Sequence, residues 1–368
     1  MNAAIQGWGT ALPAHAIEQA DAAELAIRLT RHANGQLMAL PALYRRTTVR
    51  RRHSVLLHAN HGSKPEQNFY SIRDQSEIRN PSTAERMDVY HRLAPSLAAR
   101  AARSAIESAE AFTARSPQAE IRHHITHLVT VSCSGFSAPG IDVALIRELG
   151  LAPTVERTHI GFMGCHGALN GLRVARAICG ADADARVLLC ALELCSLHYQ
   201  FSADSDKIVS NALFADGAAA AVIGAGEGGW AISATGSYLI PDSLDAMTWR
   251  IGDNGFEMTL SPKVPELIGQ SLRPWLEGWL ASNGLRAGQI NSWAVHPGGP
   301  RILSSVESAL GLDHAALGAS REVLAQCGNM SSPTILFILE RLAKTNAPRP
   351  AVALAFGPGL IAEAVLFN

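Results

Sequence analysis

Gly161-Phe162-Met163-Gly164-Cys165-His166-Gly167-Ala168-Leu169-Asn170 is the stretch on which the reading of this chain turns. Before it, Val155–Ile160 reads as a strand. After it, Ala168–Ile178 reads as a helix, with small and apolar residues at i, i+3 and i+4. Cys165 therefore falls at a helix N-terminus, where unpaired backbone N–H groups and the helix dipole favour an anion. The thiolate is the nucleophilic form of cysteine, and such a position lowers its pKa. Gly164 and Gly167 let backbone and substrate approach closely. A cysteine taken alone is more often a small buried hydrophobe, so the rest of the sequence has to argue for chemistry.

Outward from that junction, strand-like and helix-like runs alternate to both ends. Helices are expected over 17–31, 82–111, 265–280, 300–310, 316–326 and 332–342, with one ending at Leu149. Ser82-Thr83-Ala84-Glu85 has the form of a capping box, and Pro95 should kink or divide the helix it opens. Strands are expected at 127–132, 186–193, 218–223, 230–238 and 292–295, with a closing pair at 351–355 and 362–366. Such alternation predicts an α/β fold with both sheet faces covered. Residues 60–75 are polar and read as a surface loop. The glycine-rich joint after Gly224 divides the chain into expected halves of 1–224 and 225–368. There is no sequence repeat, P-loop or dinucleotide-type glycine fingerprint.

The chain has 368 residues, 48% hydrophobic and 17% charged, enough apolar content for a large core. A net charge of −1 offers no global field for nucleic acid or an acidic membrane surface. The basic run from Arg45 to Arg52 is either a solvated face or an anion site. Six scattered cysteines without a CxxC pair read as free thiols of a reducing compartment. The N-terminus lacks signal-peptide character, and no apolar run could span a bilayer, so a cytoplasmic protein is expected. His123, His124 and His127 have no fitting partner, and no metal is expected.

Two further residues occupy positions like that of Cys165. His296, in Trp293-Ala294-Val295-His296-Pro297-Gly298-Gly299-Pro300, follows a strand and precedes a turn into a helix. Asn329, in Cys327-Gly328-Asn329-Met330-Ser331-Ser332-Pro333, also precedes a helix. Each alone would be an ordinary polar or turn residue. Together with Cys165 they can form a Cys–His nucleophile and a pair of hydrogen-bond donors for one carbonyl oxygen. Such donors would stabilise the enolate left when a malonyl thioester loses carbon dioxide.

At these residues the chain resembles the type III polyketide synthases, the chalcone-synthase-like branch of the thiolase superfamily, and more its bacterial members than its plant ones. Gly164-Cys165, Leu213-Phe214-Ala215-Asp216-Gly217, His296-Pro297-Gly298-Gly299-Pro300, Gly328-Asn329-Met330-Ser331-Ser332 and Phe356-Gly357-Pro358-Gly359-Leu360 stand in the family's order, over nearly the whole chain. The resemblance implies a five-layer αβαβα fold of two similar halves, and a homodimer. It implies an acyltransferase of secondary metabolism that loads an acyl-CoA starter on Cys165, extends it by repeated decarboxylative condensation with malonyl-CoA, and cyclises it to a resorcinol, pyrone or naphthalene. Cys165, His296 and Asn329 would be catalytic. Phe214 would be a gatekeeper, and Ser331 and Arg46 would contact substrate. CoA thioesters would be substrates, with no cofactor.

The departures bear on the cavity. Met258 stands for a second gatekeeping phenylalanine. Cys133, Cys195 and His198 replace three cavity threonines, and Trp249 replaces a glycine. Ala138 replaces a methionine that reaches across the dimer, and Ala355 replaces a glycine. Glu193 is expected to support the site through buried hydrogen bonds, and Asp216 is expected to be structural. Three other readings stay open here: a single-condensation β-ketoacyl synthase III-like enzyme, a papain-like cysteine hydrolase, and a non-catalytic protein of the same fold.

Overall fold

The computed structural model describes residues 3–30, 40–60, 63–73, 77–113, 121–202, 204–226 and 229–368. Its layering can be read from one strand, β10 (Arg186–Leu194). Leu188, Cys190 and Leu192 enter one hydrophobic cluster, while Val187, Leu189 and Ala191 enter another. Period-two alternation with both sets apolar is what a sheet covered on both faces requires.

Elements of the first half are β1 (Ala3–Ala11), β2 (Ala16–Glu18), α1 (Gln19–Thr30), α2 (Leu40–Arg46) and the short strands β3 (Arg51–His53), β4 (His58–Asn60), β5 (Ser63–Glu66), β6 (Ser71–Arg73) and β7 (Glu77–Arg79). Then come α3 (Thr83–Thr113), β8 (His127–Ser132), α4 (Ile141–Leu149), β9 (Glu156–Gly161), α5 (Gly167–Ala181), β10, α6 (Ser205–Leu213) and β11 (Asp216–Ala225). The second half has β12 (Trp230–Leu239), β13 (Met247–Gly252), β14 (Gly255–Leu260), α7 (Val264–Ser282) and β15 (Ser292–Val295). It ends with α8 (Pro300–Leu310), α9 (Gly318–Cys327), α10 (Pro333–Lys344), β16 (Ala351–Gly357) and β17 (Ile361–Phe367).

Nine strands join in the order β15-β16-β17-β12-β1-β11-β10-β8-β9. β8 is parallel to β10, β10 antiparallel to β11, and β11 antiparallel to β1. β15, β16, β17 and β12 repeat those directions in the same sequence. The two parts meet where β1 and β12 pair at Ala4↔Ala231 and Ile5↔Trp230. Helices α5 and α10 share the cluster between the parts, α3 and α4 cover the outer face of the first, and α7 and α8 cover the outer face of the second. This is the expected αβαβα stack, although no repeat is detectable in the sequence. The expected boundary at Gly224 falls inside β11.

The expected helix from Ser82 is α3, and the capping box is formed: Glu85 Oε2 accepts from the Ser82 N–H at 2.8 Å, and Ser82 Oγ accepts from the Glu85 N–H at 3.3 Å. Pro95 does not divide it. Ala98, Ala101, Ala102, Ala105 and Ala109 are fully buried along its inner face. A Cβ at Gly7 or Gly9 of β1 would come within 2.3 or 2.2 Å of the Ala105 or Ala101 carbonyl oxygen. Packing this close holds the helix through the lost hydrogen bond at proline. The polar stretch expected as a loop contains short strands β5 and β6, with residues 61–62 and 74–76 outside the described ones. The hairpin β13–β14 was not expected.

Candidate active site

Strand β9 ends at Gly161, and the chain reverses through Phe162 (φ 59) and Gly164 (φ 67) into a single 3-10 turn bearing Cys165, from which α5 continues. A Cβ at Gly164 would lie 2.5 Å from Pro358 Cδ, so the Phe356–Leu360 loop can pack this close beside Cys165 only at glycine. Cys165 thus sits at the helix start, as expected, but it is buried. Burial pushes its thiol up to about 11, against the hydrogen bonds of Ser331 and Asn329 that favour the thiolate. The expected lowering by the helix N-terminus is outweighed by desolvation.

His296 leaves the end of β15, with its N–H donating to the Leu354 carbonyl at 2.8 Å. Burial, and then the charge of nearby His166, hold its imidazole down at about 3. Both of its ring nitrogens are buried and, among the described residues, have no hydrogen-bond partner. Burial disfavours the charged form of both groups, which favours a thiol with a neutral imidazole at rest. Both nitrogens of that imidazole are available to substrate.

Asn329 is fixed from three sides. Its N–H donates to the Leu213 carbonyl at 2.9 Å, its own carbonyl accepts from Ala215 at 2.9 Å, and its side-chain Oδ1 accepts from the Ser331 N–H at 2.8 Å. The amide nitrogen is left to donate to the Cys165 sulfur. The same backbone bridge sets Phe214 beside Asn329. Ser331 is held at φ 56, a left-handed conformation rare for residues other than glycine. Its hydroxyl hydrogen-bonds Cys165 and lies 3.5 Å from Cys133 Sγ.

Cys165, His296, Asn329, Phe214 and Met258 line one small cavity. Cys195, His198 and Trp249 line a larger adjoining cavity. Ser210, Phe214 and Met258 line both, so the two expected gatekeepers form the partition. The larger cavity runs to α1, where Ala22, Leu25, Ala26 and Leu29 form an aliphatic wall. Trp249 and Met258 are cross-strand partners on the β13–β14 hairpin. Trp249 Nε1 donates to the Cys133 carbonyl at 2.7 Å.

His198 lines the larger cavity, but both of its ring nitrogens are taken. Nδ1 accepts from the Phe256 N–H at 2.9 Å, which leaves Nε2 to donate to the Ser134 carbonyl at 2.6 Å. Its ring stacks on Phe256 at 4.2 Å, and burial holds it neutral, down at about 3. It anchors the hairpin. Arg46 ends α2 on the surface and lines neither cavity. From the same basic run Arg52 turns inward and donates to the Asn211 and Phe214 carbonyls at 2.5 and 2.8 Å. Glu193 and Asp216 are fully buried acceptors; Asp216 takes N–H groups of Val55 and Ser196 at 2.8 Å each, a structural role. Leu213, Met247, Leu260, Ile302 and Phe356 also line the cavity of Cys165 and were not singled out by sequence, although Leu213 and Phe356 lie in recognised motifs. Among the described residues, no group of three or more His, Cys, Asp or Glu could hold a metal.

Residues 1–227 match the model of the chalcone and stilbene synthases' N-terminal domain, and 231–368 match that of the C-terminal domain. The chain is 32% identical to alpha-pyrone synthesis polyketide synthase-like Pks18 of Mycobacterium tuberculosis (strain CDC 1551 / Oshkosh), over all of this chain and 91% of the relative. It is 33% identical to 1,3,6,8-tetrahydroxynaphthalene synthase of Streptomyces peucetius subsp. caesius, over 98% of this chain and 91% of that one. PKS-I from the brown alga Ectocarpus siliculosus superposes with a TM-score of 0.89 at 29% identity, covering all of this chain and 98% of the other. Full-length matches of this kind set aside the papain-like and single-condensation readings. This chain belongs to the chalcone and stilbene synthase family and is a type III polyketide synthase, an acyltransferase that builds polyketides from acyl-CoA and malonyl-CoA by iterative decarboxylative condensation.

Proposed function

We propose that this synthase extends aliphatic acyl-CoA starters whose tails lie in the cavity against α1. The observation that carries this is the aliphatic wall of Ala22, Leu25, Ala26 and Leu29, reached past Phe214 and Met258 from the cavity of Cys165. Each methylene buried there contributes about 0.8 kcal/mol, so an alkyl tail gains along that wall. A tail-bearing pyrone or resorcinol is the product class this favours over a naphthalene.

In this reading Cys165 is the acyl carrier, and His296 takes the thiol proton as sulfur attacks the starter's carbonyl carbon. The carbon–sulfur bond to CoA then breaks, and the CoA thiolate leaves with that proton. Malonyl-CoA next loses carbon dioxide. The electrons of the broken bond become an enolate, whose oxygen receives hydrogen bonds from His296 and Asn329. The enolate carbon attacks the acyl-Cys165 carbonyl and expels the Cys165 thiolate, giving a chain longer by one acetate unit. Burial that disfavours the free thiolate makes Cys165 a thiol until a carbonyl is in place. Arg46 with Arg45 would meet the CoA phosphates from the surface. No metal or redox cofactor enters any of these steps.

We also read the protein as a cytoplasmic homodimer, with the chain halves taken as 1–224 and 225–368. Among the described residues, the edge strand β9 leaves its outer side unpaired, beside exposed Phe136 and Met163, which suits pairing with a second copy. The test of the substrate class is turnover with malonyl-CoA and acyl-CoA starters of increasing length, with products resolved by mass. The highest kcat/KM for a medium or long alkyl starter, with two or more acetate units added, is expected. Preference for malonyl-CoA alone would refute the aliphatic reading.

A further inference from the structure

Glu193, at the end of β10, is fully buried, and among the described residues no cation pairs with it. Its oxygens instead collect donors. Oε1 takes the Ser332 hydroxyl at 2.6 Å, and Oε2 takes the Ser134 hydroxyl at 2.6 Å and the Ser134 N–H at 2.9 Å. The Cys133 N–H reaches both oxygens, at 3.0 and 2.9 Å. The Ser134 hydroxyl already accepts from the Leu194 N–H at 2.8 Å, so its proton points to Glu193. The Ser132 hydroxyl lies 3.4 Å from Oε2 and accepts from Tyr90 at 2.7 Å. Burial pushes Glu193 up, and the donors converging on both oxygens oppose this by favouring the ionised carboxylate, which only accepts.

What these donors belong to matters more than their number. Ser332 follows Ser331 and Asn329, the residues whose side chains hydrogen-bond the Cys165 sulfur. Cys133 and Ser134 belong to the loop whose two carbonyls receive Trp249 Nε1 at 2.7 Å and His198 Nε2 at 2.6 Å. His198 in turn holds Phe256, two residues before Met258. Glu193 itself lines neither cavity. One side of the carboxylate thus leads to the nucleophile and the other to the hairpin that walls the acyl cavity.

We infer that Glu193 is a positioning residue that couples the two. Through it, the placement of Cys165's hydrogen-bond partners and the placement of the Trp249–Met258 hairpin are set together, so that loading depends on what fills the cavity. This rests on the reading of Cys165 as acyl carrier and of the hairpin as cavity wall.

The test is a double-mutant cycle across the carboxylate. Trp249→Phe cuts only the hairpin arm and Ser332→Ala only the nucleophile arm. Coupling predicts that each crosses over: Trp249→Phe lowers kcat several-fold as well as changing KM for the starter, and Ser332→Ala changes starter preference as well as kcat. The double variant should then lose at least threefold less than the product of the single losses. In a Glu193→Gln background that non-additivity should vanish, and Glu193→Asp should partly restore it. Simple multiplication of the two losses, with Trp249→Phe confined to KM and Ser332→Ala confined to kcat, overturns the inference even if Glu193→Gln does not fold. Cys165→Ala retaining extension would instead overturn the carrier assignment, so the two failures are distinguishable.

Discussion

Ala26→Phe tests the acyl cavity from its far wall. Ala26 is buried on α1 and lines the larger cavity, on the side away from Cys165, His296 and Asn329. A phenyl ring projecting from this position takes the space of about three methylenes at the end of a long tail. At about 0.8 kcal/mol for each methylene, the loss is about 2.4 kcal/mol. That corresponds to about a 60-fold fall in kcat/KM for starters long enough to reach α1. Short starters should be nearly unaffected, since the reaction cavity is unchanged. The assay is kcat/KM over an acyl-CoA series, with thermal unfolding to confirm the fold. Overpacking into well-filled core would cost about 1–3 kcal/mol of stability, whereas a ring entering open cavity should cost less. Equal losses for short and long starters, or an unchanged length profile, would refute the assignment of this cavity to the tail.

Met258→Phe should narrow the partition and move preference toward shorter starters; an identical product profile would remove Met258 from it. Cys165→Ala should abolish chain extension while retaining some malonyl-CoA decarboxylation, read as labelled carbon dioxide release. With the thiol pushed up to about 11 by burial, its thiolate population in the free enzyme rises with pH throughout the range below that value. Alkylation of Cys165 by iodoacetamide should therefore increase about tenfold per pH unit from pH 7 to 9, and a plateau by pH 8 would contradict the resting thiol. His296→Gln should keep a donor for the enolate but lose the proton acceptor, lowering loading more than decarboxylation; equal effects on both would argue against His296 as the base.

Several elements were legible to the residue. Ser292–Val295 and Pro300–Leu310 have the expected bounds, because an apolar strand and a proline-started helix are punctuated by glycines and prolines on the chain itself. Cys165, His296 and Asn329 were singled out because their local motifs sit at element ends, and the structure gathers them on one cavity. The β13–β14 hairpin was missed. Its residues are half-exposed and do not alternate cleanly, so Trp249 and Met258 were named separately, without a sign that they pair. The stripe of Ala22, Leu25, Ala26 and Leu29 has helical spacing, but spacing is the same for a core face and a cavity wall. The acidity of Cys165 was misjudged because helix position is written in sequence and depth of burial is not.

The seam between the two parts of the sheet has a consequence for how the enzyme could be taken apart. Among the described residues, strand pairing across it is Ala4↔Ala231 and Ile5↔Trp230, with a separate backbone bridge from Phe214 to Asn329, while Cys165 stands on one side and His296 and Asn329 on the other. The link from β11 to β12 is short and glycine-rich. A chain opened in that link and supplied as two polypeptides would hold a thiol without its base in one fragment, and the base without its thiol in the other. Condensation would then report fragment reassembly directly, since neither piece carries a working centre of its own.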